Sequence, residues 1–519
     1  MDNINNINNK PVEGEKFHVS GYAAKPEFTR MEHIAAIFCF LLGFIFVRYL
    51  VWNETGFFST ATVLLLVGVC AAYLKASGFE LTLRNRMTAV LISVFSLVFS
   101  VTDNGAIKST AELFILAVGA YWVYAICTKR TKIDEHIDID IVMALFKIPF
   151  SQFFNAPSAA IKSPSHSKSG NFKNVALGLV IAVPITVFVA SLLMSADDGV
   201  EKLLSGLTEN FVSDFGIIFV QIAIGSLVAC YLFGMLYGNT HDVKHEYHSE
   251  EAYRSIAEKR RFVPNLIAYT ALTPALILYA VFFISQSKYF LSAFGGRLPE
   301  GFGYAEYARR GFFELFALAA VNMIFILILN CNTISSGVKR TRTLRAYSIM
   351  LCGFTLIMIA AALSKMVLYI SRFGLTRMRL YTSWTMLLMA VVFVLIIVWQ
   401  FKQTFPLIRI SAAVFVVMFG VLCFSQSDYL IAKYNIAMYE NGSHTELDMD
   451  YLIHGLSDDS LAYVIERCDG DKIRLPYDLN KNDYIKHRLD MSEESEPRFA
   501  QYNLSTMVTK MRLKQIYDK

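Results

Sequence analysis

The run Gly301–Leu315 sets Glu306, Arg310 and Glu314 at four-residue intervals, with Arg309 beside Arg310 and with Tyr304 and Tyr307 just upstream. Helical residues four apart share a face, so the three can form a ladder of alternating charge, while Arg309 points about 100° away from Arg310. Lys365, Arg372, Arg377 and Arg379 add further cations downstream, with Tyr369, Tyr381 and Trp384 among them. A guanidinium presents planar, paired donors that match the two oxygens of a carboxylate or phosphate. Recognition of an anion is therefore the chemistry these residue types can do. No nucleophile stands beside a base, and no paired acids accompany a metal ligand, so no catalytic constellation is legible. Gly301 and Gly303 lack the strand–turn–helix setting and third glycine of a nucleotide-binding loop. His241, His245 and His248 would share one helical face, but Lys244 intervenes in a charged stretch without cysteine, which reads as solvated rather than metal-binding. Neither a cofactor nor a metal is expected.

The elements that must position these residues are membrane spans. Of 519 residues, 55% are hydrophobic and 18% charged, against about 25% charged in soluble domains. A span needs about 20 mostly apolar residues, and eleven candidates meet this: 34–52, 57–74, 87–103, 109–127, 174–196, 213–236, 263–285, 309–331, 345–370, 379–401 and 406–424. The fold class is thus all-α, a polytopic transmembrane helical bundle of about 11 spans with a small C-terminal all-helical domain. The net charge of +5 comes from scattered loop cations and forms no tract for nucleic acid. The eight cysteines show no Cys-x-x-Cys spacing, so no disulfide framework or zinc site is suggested.

Loop cations orient the bundle. Lys75, Arg84 and Arg86, then Lys129, Arg130 and Lys132, then Arg254 to Arg261, then Lys339, Arg340 and Arg342 fall on one face, which the positive-inside rule makes cytosolic. The N-terminus is then cytosolic and, with eleven spans, the C-terminus extracytoplasmic. Two outer loops carry cations against this bias: one with Lys288, Arg297, Arg309 and Arg310, the other with Arg372, Arg377 and Arg379. Inside the spans lie Glu112, Glu314 and Lys365. The last two sit at similar depth, about 5–8 Å below the outer surface, in consecutive helices that are usually neighbours. These features outline an outward-facing pocket between the eighth, ninth and tenth spans. The same residues can also serve as lipid-snorkelling anchors and an interfacial aromatic belt, and both readings stand at this point.

The remaining segments divide into a polar, Asn-rich cytosolic tail (1–30), a first four-span region (31–127), a cytosolic loop (128–173), a seven-span region (174–424) and a C-terminal helical domain (425–519). Within the loop, the amphipathic stretch Ile139–Phe154 is too short to span and is expected either on the inner membrane surface, apolar face down, or as a loop helix packed on the bundle, followed by a Ser-rich linker at Ser163–Gly170. Val200, Leu203, Leu204, Leu207 and Phe211 suggest a second surface helix. Pro184 and Pro274 are candidate helix breaks, and Gln221, Asn322 and Asn330 are expected in interhelical hydrogen bonds. In the tail, Leu430, Ile431, Tyr434, Asn435 and Met438 recur at helical spacing. Ser457-Asp458-Asp459 signals a helix start, and Arg498–Lys519 is a last amphipathic helix.

Tyr304–Leu315 resembles a bacterial membrane family known as domain of unknown function 4173, with a related 4153 group. Gly374–Ser383, Leu430–Ile436, Asp450-Tyr-Leu and Leu456–Asp459 are similar to it as well, and the resemblance runs from about Asn174 to the end. It implies a multi-pass protein of the bacterial cytoplasmic membrane and no particular activity. The leading expectation is a non-enzymatic membrane protein whose partners are membrane lipid and an anionic lipid or envelope component. Tyr304, Glu306, Tyr307, Arg309, Arg310, Glu314, Lys365, Arg372, Arg377 and Arg379 would be its contacts. A secondary transporter and a transferase acting on a lipid-linked substrate remain as alternatives.

Overall fold

The computed structural model describes residues 28–128, 137–160, 214–241, 263–294, 312–332, 342–444, 446–468, 473–476, 480–494 and 502–518. Helix α1 (Arg30–Phe46) starts at a capping box, in which Thr29 and Glu32 exchange side-chain and backbone bonds and so satisfy two of the free N–H groups of the first turn. It is followed by α2 (Phe57–Ala76), α3 (Leu83–Ser96), the single turn α4 (Val98–Val101), α5 (Gly105–Cys127), the short α6 (Ile137–Val142), α7 (Ile148–Ser151) and α8 (Asn155–Ala160), and then α9 (Asp214–His241). Next come α10 (Asn265–Phe294), α11 (Phe312–Leu327), α12 (Arg342–Phe373), α13 (Arg377–Phe401) and α14 (Leu407–Phe424). The tail holds α15 (Ser427–Glu440), α16 (Asp458–Arg467), α17 (Lys481–Glu494) and α18 (Leu504–Tyr517). No strand element occurs among the described residues.

Ten of the described helical stretches are long and apolar enough to cross a membrane. They match ten of the eleven runs read from the sequence. The eleventh, 174–196, lies outside the described residues, as do the expected surface helix near Val200 and the linker at Ser163–Gly170. Pro274 does not break its helix, because α10 continues through it. The short stretch at Ile139–Phe154 forms α6, a π-helical turn at Met143–Lys147, and α7.

Three hydrophobic cores hold the helices. The first joins α1, α2, α3, α5 and α9 around Phe99, Leu74, Ile92 and Phe233, all almost fully buried. Here α1 and α9 pack backbone to backbone. A Cβ on Gly225 would come within 2.9 Å of Phe44, and one on Gly43 would collide with the Gly225 carbonyl. Small residues at a crossing allow this approach in lipid, where no hydrophobic force drives helices together. The second core joins α10, α11, α12 and α13 around Leu351, Met358, Ile359 and Phe393. Helix α14 leans on the first core, with Phe419 stacked on Phe95 at 5.6 Å. Helix α13 serves both, since Tyr381 and Trp384 touch the first core while Met386, Phe393 and Ile396 fill the second.

The third core is built by the tail from Ile431, Ile436, Leu452, Val464, Ile465 and Ile485, with Leu375 and Leu380 of the α12–α13 turn packed against it. Helices α15, α16 and α18 fall where their apolar spacing predicts. Helix α17 has no such signal in the sequence, because Lys481–Glu494 is dominated by charged and polar residues and presents no continuous apolar face.

Candidate functional site

The sequence-derived pocket is divided by the structure. Tyr304, Glu306, Tyr307, Arg309 and Arg310 lie outside the described residues. Glu314, Lys365, Arg372, Arg377 and Arg379 are described, and they have different surroundings.

Arg377 and Arg379, expected as forks toward an outside anion, have internal acceptors in the structure. Asp428, two residues into α15 and fully buried, takes the Arg377 fork. Its Oδ1 accepts from Arg377 Nε at 2.8 Å and from Asn104 Nδ2 at 2.9 Å. Its Oδ2 accepts from the Ser457 backbone N–H at 3.0 Å, from the Ser457 hydroxyl at 2.5 Å, and from Arg377 Nη2. A buried carboxylate is tolerable only when its charge is matched and its lone pairs are filled, and both conditions hold here. Arg379 stacks its guanidinium 4.0 Å from the Tyr369 ring centroid and donates to the carbonyls of Phe373 and Gly374. It thereby supplies a cation and donors to the carbonyl end of α12.

Asn104 is the second node. Its Oδ1 caps α5 by accepting from Ile107 N–H at 3.2 Å, which leaves its amide nitrogen free to donate to Asp428 and, at 2.9 Å, to the Tyr381 hydroxyl. A third layer surrounds the start of α16. Asp459 accepts from the Asp103 backbone N–H at 2.8 Å and from the Thr102 hydroxyl. Asp103 in turn accepts from Asn503 Nδ2 at 3.0 Å and lies 3.6 Å from Lys108 Nζ. Lys108 donates to the Thr55 carbonyl at 2.8 Å, and Arg488 pairs with Asp458 at 2.9 Å. Burial raises the Asp103 carboxyl above the usual aspartate range, with Lys108 pulling the other way. Burial also raises Asp459, against hydrogen bonds from Ser505 and Thr102. Together these contacts form a clasp that fixes the tail helices onto one end of the membrane bundle.

The turn between α12 and α13 is fitted to the same purpose. Asn435 of α15 closes a pair of hydrogen bonds with the Leu375 backbone, at 2.7 and 2.8 Å. Gly374 has φ +77°, and a Cβ there would sit 2.7 Å from Asn435 Oδ1, so both the backbone conformation and the space require glycine.

Glu314, Lys365 and Arg372 lie at this end but outside the clasp. Glu314 is exposed in the first turn of α11 and acts electrostatically on Lys365 of α12, as their similar depth predicts. Arg372 is exposed in the last turn of α12. Trp384, read as part of a pocket rim, instead donates Nε1–H to the Met418 carbonyl at 3.1 Å.

The expected interhelical bonds are present. Tyr279 donates to Asn322 at 2.7 Å, Asn322 donates to Thr355 at 2.9 Å, and Asn330 accepts from Gln400 at 3.1 Å. Gln221 accepts from Arg48 at 3.4 Å. His241 lies 3.2 Å from the Glu32 carboxylate and stacks on Tyr237, while His245 and His248 lie outside the described residues. No grouping of acidic, His and Cys residues suited to a metal occurs among the described residues.

The model of the family described as a domain of unknown function (DUF4153) matches residues 61–467. The chain belongs to the DUF4153 family. The match encloses Asn104, Arg377, Asp428, Ser457 and Asp459 and stops short of Asn503. It falls on the 4153 group, which the sequence resemblance placed beside the 4173 family. Comparison with curated proteins and with solved structures gives no match. With ten apolar helices of spanning length among its described residues, this DUF4153 chain is an integral, multi-pass membrane protein.

Sequence reasoning missed Asn104, Asp428 and Asn503. Their signals were local: Asn104 and Asn503 each precede a helix as caps, and Asp428 stands just beyond the last span. None of these signals reveals a partner hundreds of residues away.

Proposed function

We propose that the protein is a non-catalytic membrane receptor that holds its helical tail at the extracytoplasmic face and recognises there an anionic lipid or envelope component. The observation that carries this reading is the clasp, which docks the tail on the same end of the bundle as Glu314, Lys365 and Arg372. A rigid mount beside the exposed Arg372 and the half-buried Lys365 suits recognition, since a preorganised surface spends less free energy on ordering when it binds. Orientation is supported by the described loops. Lys75, Arg84, Arg86, Arg342 and Lys402 lie at or near the helix ends opposite the clasp, while of the clasp-end cations Lys108, Arg377 and Arg379 are engaged with internal acceptors. The N-terminus is then cytosolic, and the resemblance to bacterial families points to a cytoplasmic membrane.

In this reading Arg372, together with Arg309 and Arg310 of the preceding outer loop, contacts the anion, while Arg377 and Arg379 shape the site from within. Arg372→Ala combined with Arg309→Ala and Arg310→Ala is expected to lower the anionic lipid that co-purifies with the folded protein, read by native mass spectrometry. Unchanged lipid content in a protein of unchanged melting temperature contradicts the reading.

A further inference from the structure

At the end of the bundle away from the clasp, the segment 137–160 presents a row of exposed apolar side chains, in which Phe150 and Phe154 pack edge-on or stacked against Phe153 and Tyr231. Val142, Phe146, Phe150 and Phe154 are each more than half exposed and follow at four-residue intervals. Ile139, Ala144, Ile148 and Ala156 on the other side are buried against the bundle. A soluble surface rarely leaves such a row uncovered.

Three contacts hold the segment in place. Tyr124 of α5 donates to Asp140 at 3.2 Å, Tyr231 of α9 donates to the Leu145 carbonyl at 3.0 Å, and His33 of α1 bonds the Ala159 carbonyl. Between them, α7 lies directly on α9. A Cβ on Gly234 would collide with the Pro149 carbonyl, and one on Gly238 would come within 2.7 Å of Ile148. Gly234 lies seven residues before the end of α9 at His241, which at about 1.5 Å per residue is about 10 Å along the axis. Helix α5, which ends on the same side, has 23 residues and so is about 34 Å long, close to the hydrocarbon thickness of about 30 Å. The Pro149 backbone therefore sits below the helix ends, at the depth reached by helices that lie in the headgroup–acyl boundary, about 5–10 Å.

We infer that the segment 137–160 is a shallow membrane wedge that inserts Phe146, Phe150 and Phe154 among the acyl chains of the leaflet opposite the tail. Lipid is the occupant because the row lies within the depth of the spans and beside α1, whose Ile34, Ile37 and Phe38, within three turns of its start at this end, are exposed as well. Exposed Lys147, between two of the rings, is long enough to reach the headgroups. The segment is fixed to α1, α5 and α9 at once, so it enters the leaflet as a rigid part of the first core. This inference stands apart from the proposed function, which concerns the other end of the molecule.

The test is site-specific photo-crosslinking. Benzoyl-phenylalanine replaces Phe146, Phe150 or Phe154 singly in the full chain, reconstituted in vesicles of phosphatidylethanolamine and phosphatidylglycerol. Mass spectrometry should find lipid adducts outnumbering peptide adducts severalfold at all three positions. Predominant adducts to residues 161–213 of the same chain, adducts to a second copy, or no adduct at all would each overturn the inference. If one substituted chain fails to accumulate, the other two positions report on the same row.

Discussion

Asp428 and Glu314 are carboxylates at the same end of the bundle, and their surroundings are opposite. Asp428 is fully buried, with a bidentate guanidinium and three further donors on its two oxygens. Glu314 is exposed and acts on a half-buried lysine across a helix interface. The first arrangement fixes geometry, because every donor and acceptor has one place to go. The second leaves charge facing outward. Both regions drew on one pool of loop arginines in the sequence, and the structure commits two of them, Arg377 and Arg379, to internal acceptors beside the tail.

The largest expected effect breaks the first region. Asp428→Ala leaves Arg377 charged and half-buried opposite an empty acceptor, and the loss of a partner from a buried pair costs about 3–5 kcal/mol. The tail should undock, so that limited proteolysis cuts within residues 427–518 far faster than in the parent while the spans stay protected. Asn104→Ala removes both a helix cap and a donor to Asp428, and should cost about 1–3 kcal/mol in the same assay.

A smaller effect concerns acidity. Asp103 binds its proton more tightly in the docked state than in the unfolded chain, since burial raises it above the ordinary value of 3.8. The resulting stabilisation is fully present below that ordinary value and is lost as the pH rises through the raised folded value. Lys108, Asp458, Asp459 and Arg488 share the cluster, so the difference between parent and Asp103→Asn isolates this group. The variant should show a flatter melting-temperature profile on the acid side, and an unchanged slope would remove Asp103 from the account.

The smallest effects sharpen the second region. Arg372→Ala should change thermal stability by no more than about 0.5 kcal/mol, as for other exposed positions, while reducing bound anionic lipid. Gln426 adopts a left-handed φ of +49° in the turn that delivers Asp428. Gln426→Gly should therefore stabilise docking by up to about 1 kcal/mol, seen as slower proteolysis.

Much of the scaffold was legible in the sequence because hydropathy and helix period are local signals. The spans, the apolar spacing of α15 and α16, and the start signal at Ser457 all follow from residues within a turn or two. The clasp was not legible. Arg377 meets a carboxylate 51 residues away, and Asp103 meets Asn503 across 400 residues of chain. Charge asymmetry flagged the loop of Arg372, Arg377 and Arg379 without revealing that Asp428 neutralises Arg377 from within. Cys468 shows the same limit: it stands alone in the tail sequence, yet at the end of α16 it is buried and its thiol donates to the Val464 carbonyl. An exposed position such as Gln515, substituted by cysteine, is the better reporter of the side on which the tail lies.

The central claim is that the Asp428–Arg377 node holds the tail on the bundle. A double-mutant cycle of Arg377→Met and Asp428→Asn, with docking read by native-state proteolysis of the full chain, measures it directly. Contact across a buried charge pair predicts a coupling of about 1.5 kcal/mol or more, with the double variant less damaged than the sum of the single ones. Additivity within about 0.5 kcal/mol would mean that the two residues act independently, and would contradict the account.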